Sequence, residues 1–160
     1  MGGDSAGANL SFAATLRLRE RGEAGLVRAI LSNYGYFTPE VSDEAEAQFG
    51  GAGSIMDRAE AQSYYVNYLA DWEAGVRDPF ACPILADLAG LPPVMLVIPE
   101  CDLLTEQSLV MRARLEAAGV AASAQIYAGA THSFLEAMSI AEVARRAIRD
   151  GAAFVRKQLA

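Results

Sequence analysis

Apolar residues fall along this chain in two rhythms. From Ala6 to Arg21 they recur at helical spacing (Leu10, Ala13, Ala14), and Gly22 supplies a stop, which predicts a helix. Leu26 to Tyr34 is mostly apolar and about one strand long. Glu40 to Gly53 reads as a loop, acidic at first (Glu40, Asp43, Glu44, Glu46) and closing on Gly50-Gly51-Ala52-Gly53. Asp57-x-x-Glu60 has the form of a capping box and opens a helix through Tyr64, Tyr65, Tyr68 and Leu69 towards Trp72, with Gly75 as its end. Pro93 to Ile98 is apolar at successive positions, the pattern of a parallel strand covered on both faces. A helix over Glu106 to Ala118 and a weaker strand over Ala121 to Tyr127 follow. Ser139-x-x-Glu142 then predicts a capped last helix whose apolar stripe runs from Ile140 and Val143 through Ala144, Ala147 and Gly151 to Leu159. Arg145, Arg146, Arg149, Arg156 and Lys157 lie off that stripe and read as a solvated face.

Helix and strand therefore alternate, which predicts an α/β fold with a mostly parallel sheet of about three strands flanked by helices. Residues 1–160 are expected to form one domain, with 40–75 a loop-plus-helix insertion between strands. Such sheets carry their sites at the carboxyl ends of strands. The places to look are just after Tyr34, Ile98 and Tyr127.

Composition narrows the function classes. The chain has 160 residues, 52% of them hydrophobic and 21% charged, which is a globular balance. A net charge of −7 without a basic cluster argues against nucleic acid and anionic membrane surfaces as partners. No apolar run approaches the ~18 residues of a membrane span. Met1 to Ser5 shows neither a charged nor an apolar leader region, so a cytoplasmic location is expected. Cys82 and Cys101 cannot form a disulfide framework, and with His132 as the one histidine no metal site is expected.

Three positions carry chemistry. Gly3-Asp4-Ser5-Ala6-Gly7 is a G-x-S-x-G sequence directly before a predicted helix, where a nucleophile elbow would place its serine. A glycine-rich, unstructured terminus is the alternative. Asp102 follows the Pro93–Ile98 strand after three residues, and Glu100 competes with it from the same turn. His132 stands in Gly129-Ala130-Thr131-His132-Ser133-Phe134, directly after the third predicted strand. Ser, Asp, His is the chain order of α/β-hydrolase triads.

With these residues in view, the chain resembles the hormone-sensitive-lipase-like branch of the α/β-hydrolase esterases. The likeness rests on Gly3 to Leu10, Asp78 to Pro83, Leu91-Pro92-Pro93, Asp102 to Glu106 and Gly129 to Phe134. It implies hydrolysis of small carboxylic esters, short-chain acyl esters among them, through an acyl-enzyme and without a cofactor. It further implies Ser5 as nucleophile, His132 as general base and acid, Asp102 as the residue orienting His132, and the backbone N–H of Ala6 as an oxyanion donor. Cys82 stands where the family often has serine and reads as a small packed residue.

The resemblance covers roughly the C-terminal half of the family's domain. The family's His-Gly-Gly oxyanion loop has no counterpart, because the only histidine is His132. Little chain precedes Gly3 to form the strand an elbow needs, and the Leu26–Tyr34 strand is expected to lack its usual neighbour. That uncovered edge predicts a homo-oligomer, and an inactive, self-associating remnant is the alternative to an esterase. Amide hydrolysis is the alternative within the enzyme class. Most of the aromatic residues lie between Tyr34 and Phe80. They read as core packing, with an acyl or alcohol pocket as the sharper alternative.

Overall fold

The computed structural model describes residues 1–51 and 53–160. Its elements in chain order are β1 (Gly2–Asp4), α1 (Ala6–Glu20), β2 (Ile30–Asn33), α2 (Asp43–Phe49), α3 (Arg58–Tyr68), α4 (Trp72–Gly75), β3 (Val94–Cys101), α5 (Thr105–Ala117), β4 (Ala122–Thr131) and α6 (Glu142–Leu159). The strands form one sheet in the order β1-β2-β3-β4, with every neighbouring pair parallel. Each return to a parallel neighbour runs through at least one helix, as a parallel connection requires.

The unbroken apolar run of β3 is divided between two faces. Val94, Leu96 and Ile98 pack with Phe12 and Leu16 of α1 and Met111 and Leu115 of α5. Met95 and Val97 pack on the opposite face with Tyr127, Phe134, and Ala144 and Ala147 of α6. A third apolar cluster (Tyr36, Ala45, Met56, Ala61, Tyr65, Cys82, Leu103 and Leu104) draws on the excursion between β2 and β3 and the turn after β3. Asn9 ties α1 to that excursion. Its buried Nδ2 lies within hydrogen-bonding distance of the carbonyls of Tyr36 (2.9 Å) and Ala81 (2.9 Å) and of the Tyr65 hydroxyl (3.1 Å), so its two N–H groups are shared among three acceptors.

Several sequence expectations need correction. The sheet has four strands, because Gly2–Asp4 pairs with Leu31–Asn33. A strand of three residues rich in glycine carries no apolar rhythm, and it exists through its backbone pairing alone. β2 therefore has a neighbour on each side, and the outer edge belongs to β1. β2 is also trimmed to Ile30–Asn33, with a 3₁₀ turn over Ala24–Leu26 before it.

The acidic stretch expected as a loop contains α2. Ser42 Oγ accepts from the Ala45 N–H, and Asp43, Glu44 and Glu46 occupy the first turn, where negative charge favours a helix. Ala52 of the glycine-rich stretch lies outside the described residues. Asp57 does cap α3, accepting from the Glu60 N–H. That helix stops at Leu69, and Asp71 caps the separate α4.

The Ser139–Glu142 box does not form. Ser139 closes a 3₁₀ turn, and α6 begins after Ala141 without a side-chain cap. Glu142 pairs forward with Arg149 and Arg145, which hold its carboxyl down at about 2. The expected stripe of α6 is buried only at its small residues, Ala144, Ala147 and Gly151. A Cβ on Gly151 would come within 3.1 Å of the Leu31 side chain, so small residues set the approach of α6 to β2. Ile140 and Leu159 remain exposed. Arg146, Arg149, Arg156 and Lys157 are exposed as expected. No helix among the described residues is long and apolar enough to cross a membrane.

Asn9→Ala should lower stability by ~1–3 kcal/mol, because it leaves buried acceptors without their donor. Urea denaturation checks this: the midpoint should fall with an unchanged slope.

Candidate active site

Ser5 sits between β1 and α1 with φ 53° and ψ −113°, a conformation costly for a residue with a Cβ. Backbone bonds hold it there. Its N–H donates to the Asn33 carbonyl (2.9 Å), and its own carbonyl accepts from the N–H groups of Ala8 (3.1 Å) and Tyr36 (3.3 Å). The turn also needs Gly3, where a Cβ would lie 2.4 Å from the Gly7 carbonyl carbon. The other glycine of the motif is different, since a Cβ on Gly7 would meet nothing within 4 Å.

Asp102 lies just beyond β3 and is 2% exposed. One carboxylate oxygen, Oδ1, accepts from the Leu104 N–H (3.0 Å). The other, Oδ2, is 2.8 Å from His132 Nδ1. His132 follows β4, and its Nε2 is 3.0 Å from Ser5 Oγ, a residue 127 positions away in sequence. A carboxylate can only accept, so Nδ1 carries the imidazole proton and Nε2 is free to accept from the Ser5 hydroxyl. The Tyr34 ring packs edge-on against the imidazole at 5.1 Å.

All three sequence-predicted side chains therefore meet at the carboxyl ends of β1, β3 and β4. Ala6 follows at the first turn of α1, where a helix offers N–H groups with no carbonyl of its own to bind. Glu100 does not join them. Its carboxylate accepts from the N–H of Gly129 (2.8 Å), whose φ is 69°. This bond spans the irregular stretch where Pro99 and Cys101 face Tyr127 and Thr131, so β4 carries extra residues just before His132. Cys82 is fully buried, and burial pushes its thiol pKa up, as suits a packed residue. From sequence alone Asn9 and Tyr34 carried no role of their own, and Glu100 stood only as a rival to Asp102; their contacts join residues distant in the chain, which no local pattern marks.

Two clefts open near the site residues, one walled in part by Asp102 and His132 and the other by Ala6, the residue after Ser5. One, of about 260 Å³, lies on the His132 side and is lined by Phe49, Met56, Leu103 and Thr131 among others. The second, of about 150 Å³, reaches Ala6 and is lined by tyrosines. Among the described residues no group of three or more His, Cys, Asp or Glu converges as a metal would require.

A family model described as the alpha/beta hydrolase fold matches residues 1–136. The chain belongs to the α/β-hydrolase fold family. It is similar to the acetyl esterase of Salmonella paratyphi B, with 33% identity over 154 residues, 95% of this chain and 47% of that protein. Among solved structures, it is similar to an esterase of Pyrobaculum calidifontis (27% identity, TM-score 0.87, 99% of this chain and 52% of that one). It is also similar to an esterase of the bacterial hormone-sensitive lipase family (28% identity, TM-score 0.91, again 99% and 52%). This α/β-hydrolase chain spans about half the length of the curated relatives it matches.

The two motif glycines should behave oppositely. Gly3→Ala forces the backbone of the turn apart, costing ~1–3 kcal/mol, and a 1 Å displacement of Ser5 should slow its reaction with an organophosphorus probe about 100-fold. Gly7→Ala should leave that rate unchanged and stabilise α1 by ~0.5–1 kcal/mol. Urea unfolding and labelling rates on the two variants check both.

Proposed function

We propose that this chain hydrolyses carboxylic esters through an acyl-enzyme on Ser5. The observation that carries the reading is the continuous contact from Ser5 Oγ to His132 Nε2 (3.0 Å) and from His132 Nδ1 to Asp102 (2.8 Å). The esterases among its relatives and structural neighbours point the same way.

The chemistry follows from the positions of the groups. His132 Nε2 takes the hydroxyl proton as Ser5 Oγ bonds to the ester carbon. The carbonyl π electrons move onto oxygen, where the Ala6 N–H donates to the new charge. Asp102 keeps the imidazole turned and stabilises the imidazolium. The tetrahedral species collapses, the C–O bond to the alcohol breaks, and His132 returns its proton to the leaving oxygen. Water then attacks the acyl-enzyme with His132 again as base, which releases the acid and restores Ser5. No metal or cofactor is needed for any of these transfers.

A second reading is favoured by one feature, the outer edge of β1. The strand ends the sheet order, and Met1, Leu26 and Leu159 are exposed nearby. Under this reading the chain is a self-associating module without activity.

Incubation with a fluorophosphonate, read by intact mass, separates the two. Stoichiometric labelling is expected, with none in Ser5→Ala or His132→Ala. Asp102→Asn should label about 10⁴-fold more slowly, because an amide N–H can donate to Nδ1 and favour the wrong imidazole tautomer, and no carboxylate stabilises the imidazolium. A folded chain that takes no label and runs as a stable oligomer in light scattering would favour the second reading.

A further inference from the structure

The tyrosine cleft beside Ser5 has a composition that alkyl recognition does not require. Tyr36, Tyr64, Tyr65 and Tyr68 line it with Ala6, Leu10 and Asn9, whose Nδ2 is turned to the Tyr36 and Ala81 carbonyls. Their hydroxyls are largely tied up elsewhere. Tyr36 donates to the Ala61 carbonyl, Tyr65 to the Ala81 carbonyl and Tyr64 to the Glu60 carboxylate. What lines the cleft is therefore mainly ring carbon.

The rings are also ordered with respect to each other. Tyr36 and Tyr65 meet edge-to-face at 4.9 Å and 87°, and Tyr65 and Tyr68 at 6.3 Å and 77°. A planar ring entering the cleft would extend this series of edge-to-face contacts. Each such pair adds to what buried area alone supplies. The cleft's 150 Å³ is close to the size of an apolar cavity known to take up benzene.

The chemistry also says which arm of an ester belongs here. His132 Nε2 must return its proton to the leaving alkoxide, so the alcohol lies on the His132 side, where the larger cleft is. The Ala6-side cleft has neither His132 nor Asp102 in its wall. It is left for the acyl arm.

We infer that the cleft formed by Tyr36, Tyr64, Tyr65 and Tyr68 is an acyl subsite selective for a single aromatic ring, so that aryl-acyl esters are preferred to alicyclic ones of equal carbon number. The word acyl rests on the ester-hydrolase reading; the ring preference does not.

The test compares methyl phenylacetate with methyl cyclohexylacetate, which have the same carbon skeleton. The cyclohexyl ring has slightly more apolar surface, so burial alone predicts that it binds at least as tightly. Both esters are titrated into the Ser5→Ala chain, where they persist, and followed by the tyrosine ring resonances in NMR. The phenyl ester is expected to bind roughly 2- to 10-fold more tightly. The preference should vanish in Tyr68→Leu and survive in Tyr68→Phe. Tyr68 is 55% exposed, so neither change threatens the core.

Equal affinities, tighter cyclohexyl binding, or no saturable binding to a Ser5→Ala chain with native circular dichroism would overturn the subsite. A second comparison places the arm. With Ser5 intact, kcat/KM should favour the phenylacetate over the cyclohexylacetate by the same factor, while benzyl acetate and cyclohexylmethyl acetate should differ little. A preference confined to the alcohol pair would overturn the acyl assignment. Ring-selective binding without turnover of either ester would uphold the aromatic subsite and instead count against the hydrolase reading.

Discussion

The strained backbone at Ser5 is the constraint on which the site depends. A residue with a Cβ held at φ 53° costs ~1–3 kcal/mol, and the surroundings must supply that. They do so with ordinary ladder and turn bonds: Asn33 receives the Ser5 N–H, and the N–H groups of Ala8 and Tyr36 converge on the Ser5 carbonyl. The pairing of β1 with β2 thus has a second task beyond extending the sheet. It holds the serine above the carboxyl edge, while the missing side chain at Gly3 allows the chain to fold back onto Gly7. Position and strain come from the same few bonds.

The other side of the site is held by a different device. β3 and β4 run in simple register until Pro99 and Tyr127, and then β4 takes extra residues before Thr131 pairs with Cys101. A regular ladder would continue the alternation of faces. The irregularity re-aims the chain, and His132 leaves it facing Ser5 and Asp102. Glu100 is the carboxylate that meets this bulge, at the Gly129 N–H. The two acidic residues of one turn therefore divide their work: one meets the imidazole, the other the backbone that carries it.

Much of this was legible in the residues. The apolar run in β3, the helix after Ser5 and the placement of Asp102 and His132 behind strands all arise from local pattern, and local pattern survives in sequence. What was not legible depends on partners distant in the chain. β1 has no rhythm of its own and is a strand only because β2 lies beside it. α2 was hidden because acidic residues suit both a loop and a helix start, and the deciding bond is the one from the Ala45 N–H to Ser42 Oγ. The Ser139 box was misleading for the converse reason. The motif was present, but Glu142 found stronger partners in Arg149 and Arg145 than in the backbone behind it. Spacing alone left Asp102 and Glu100 as rivals in one turn; the family resemblance pointed to Asp102, and in the fold it is Asp102 that reaches His132 while Glu100 turns to the Gly129 N–H.

The excursion between β2 and β3 bears on the site through Asn9. This residue is one turn into α1, the helix that starts at the elbow, and its amide holds the Tyr36 and Ala81 carbonyls and the Tyr65 hydroxyl together. Those partners belong to the segments that build the third apolar cluster and the tyrosine cleft. A buried amide has no solvent to fall back on, so α1 and the excursion cannot separate without leaving polar groups unpaired. The serine's helix and the wall of the cleft beside it are consequently parts of one rigid arrangement. The distance from Ser5 to that wall is set by hydrogen bonds, which have direction, and not by apolar contact alone, which has none.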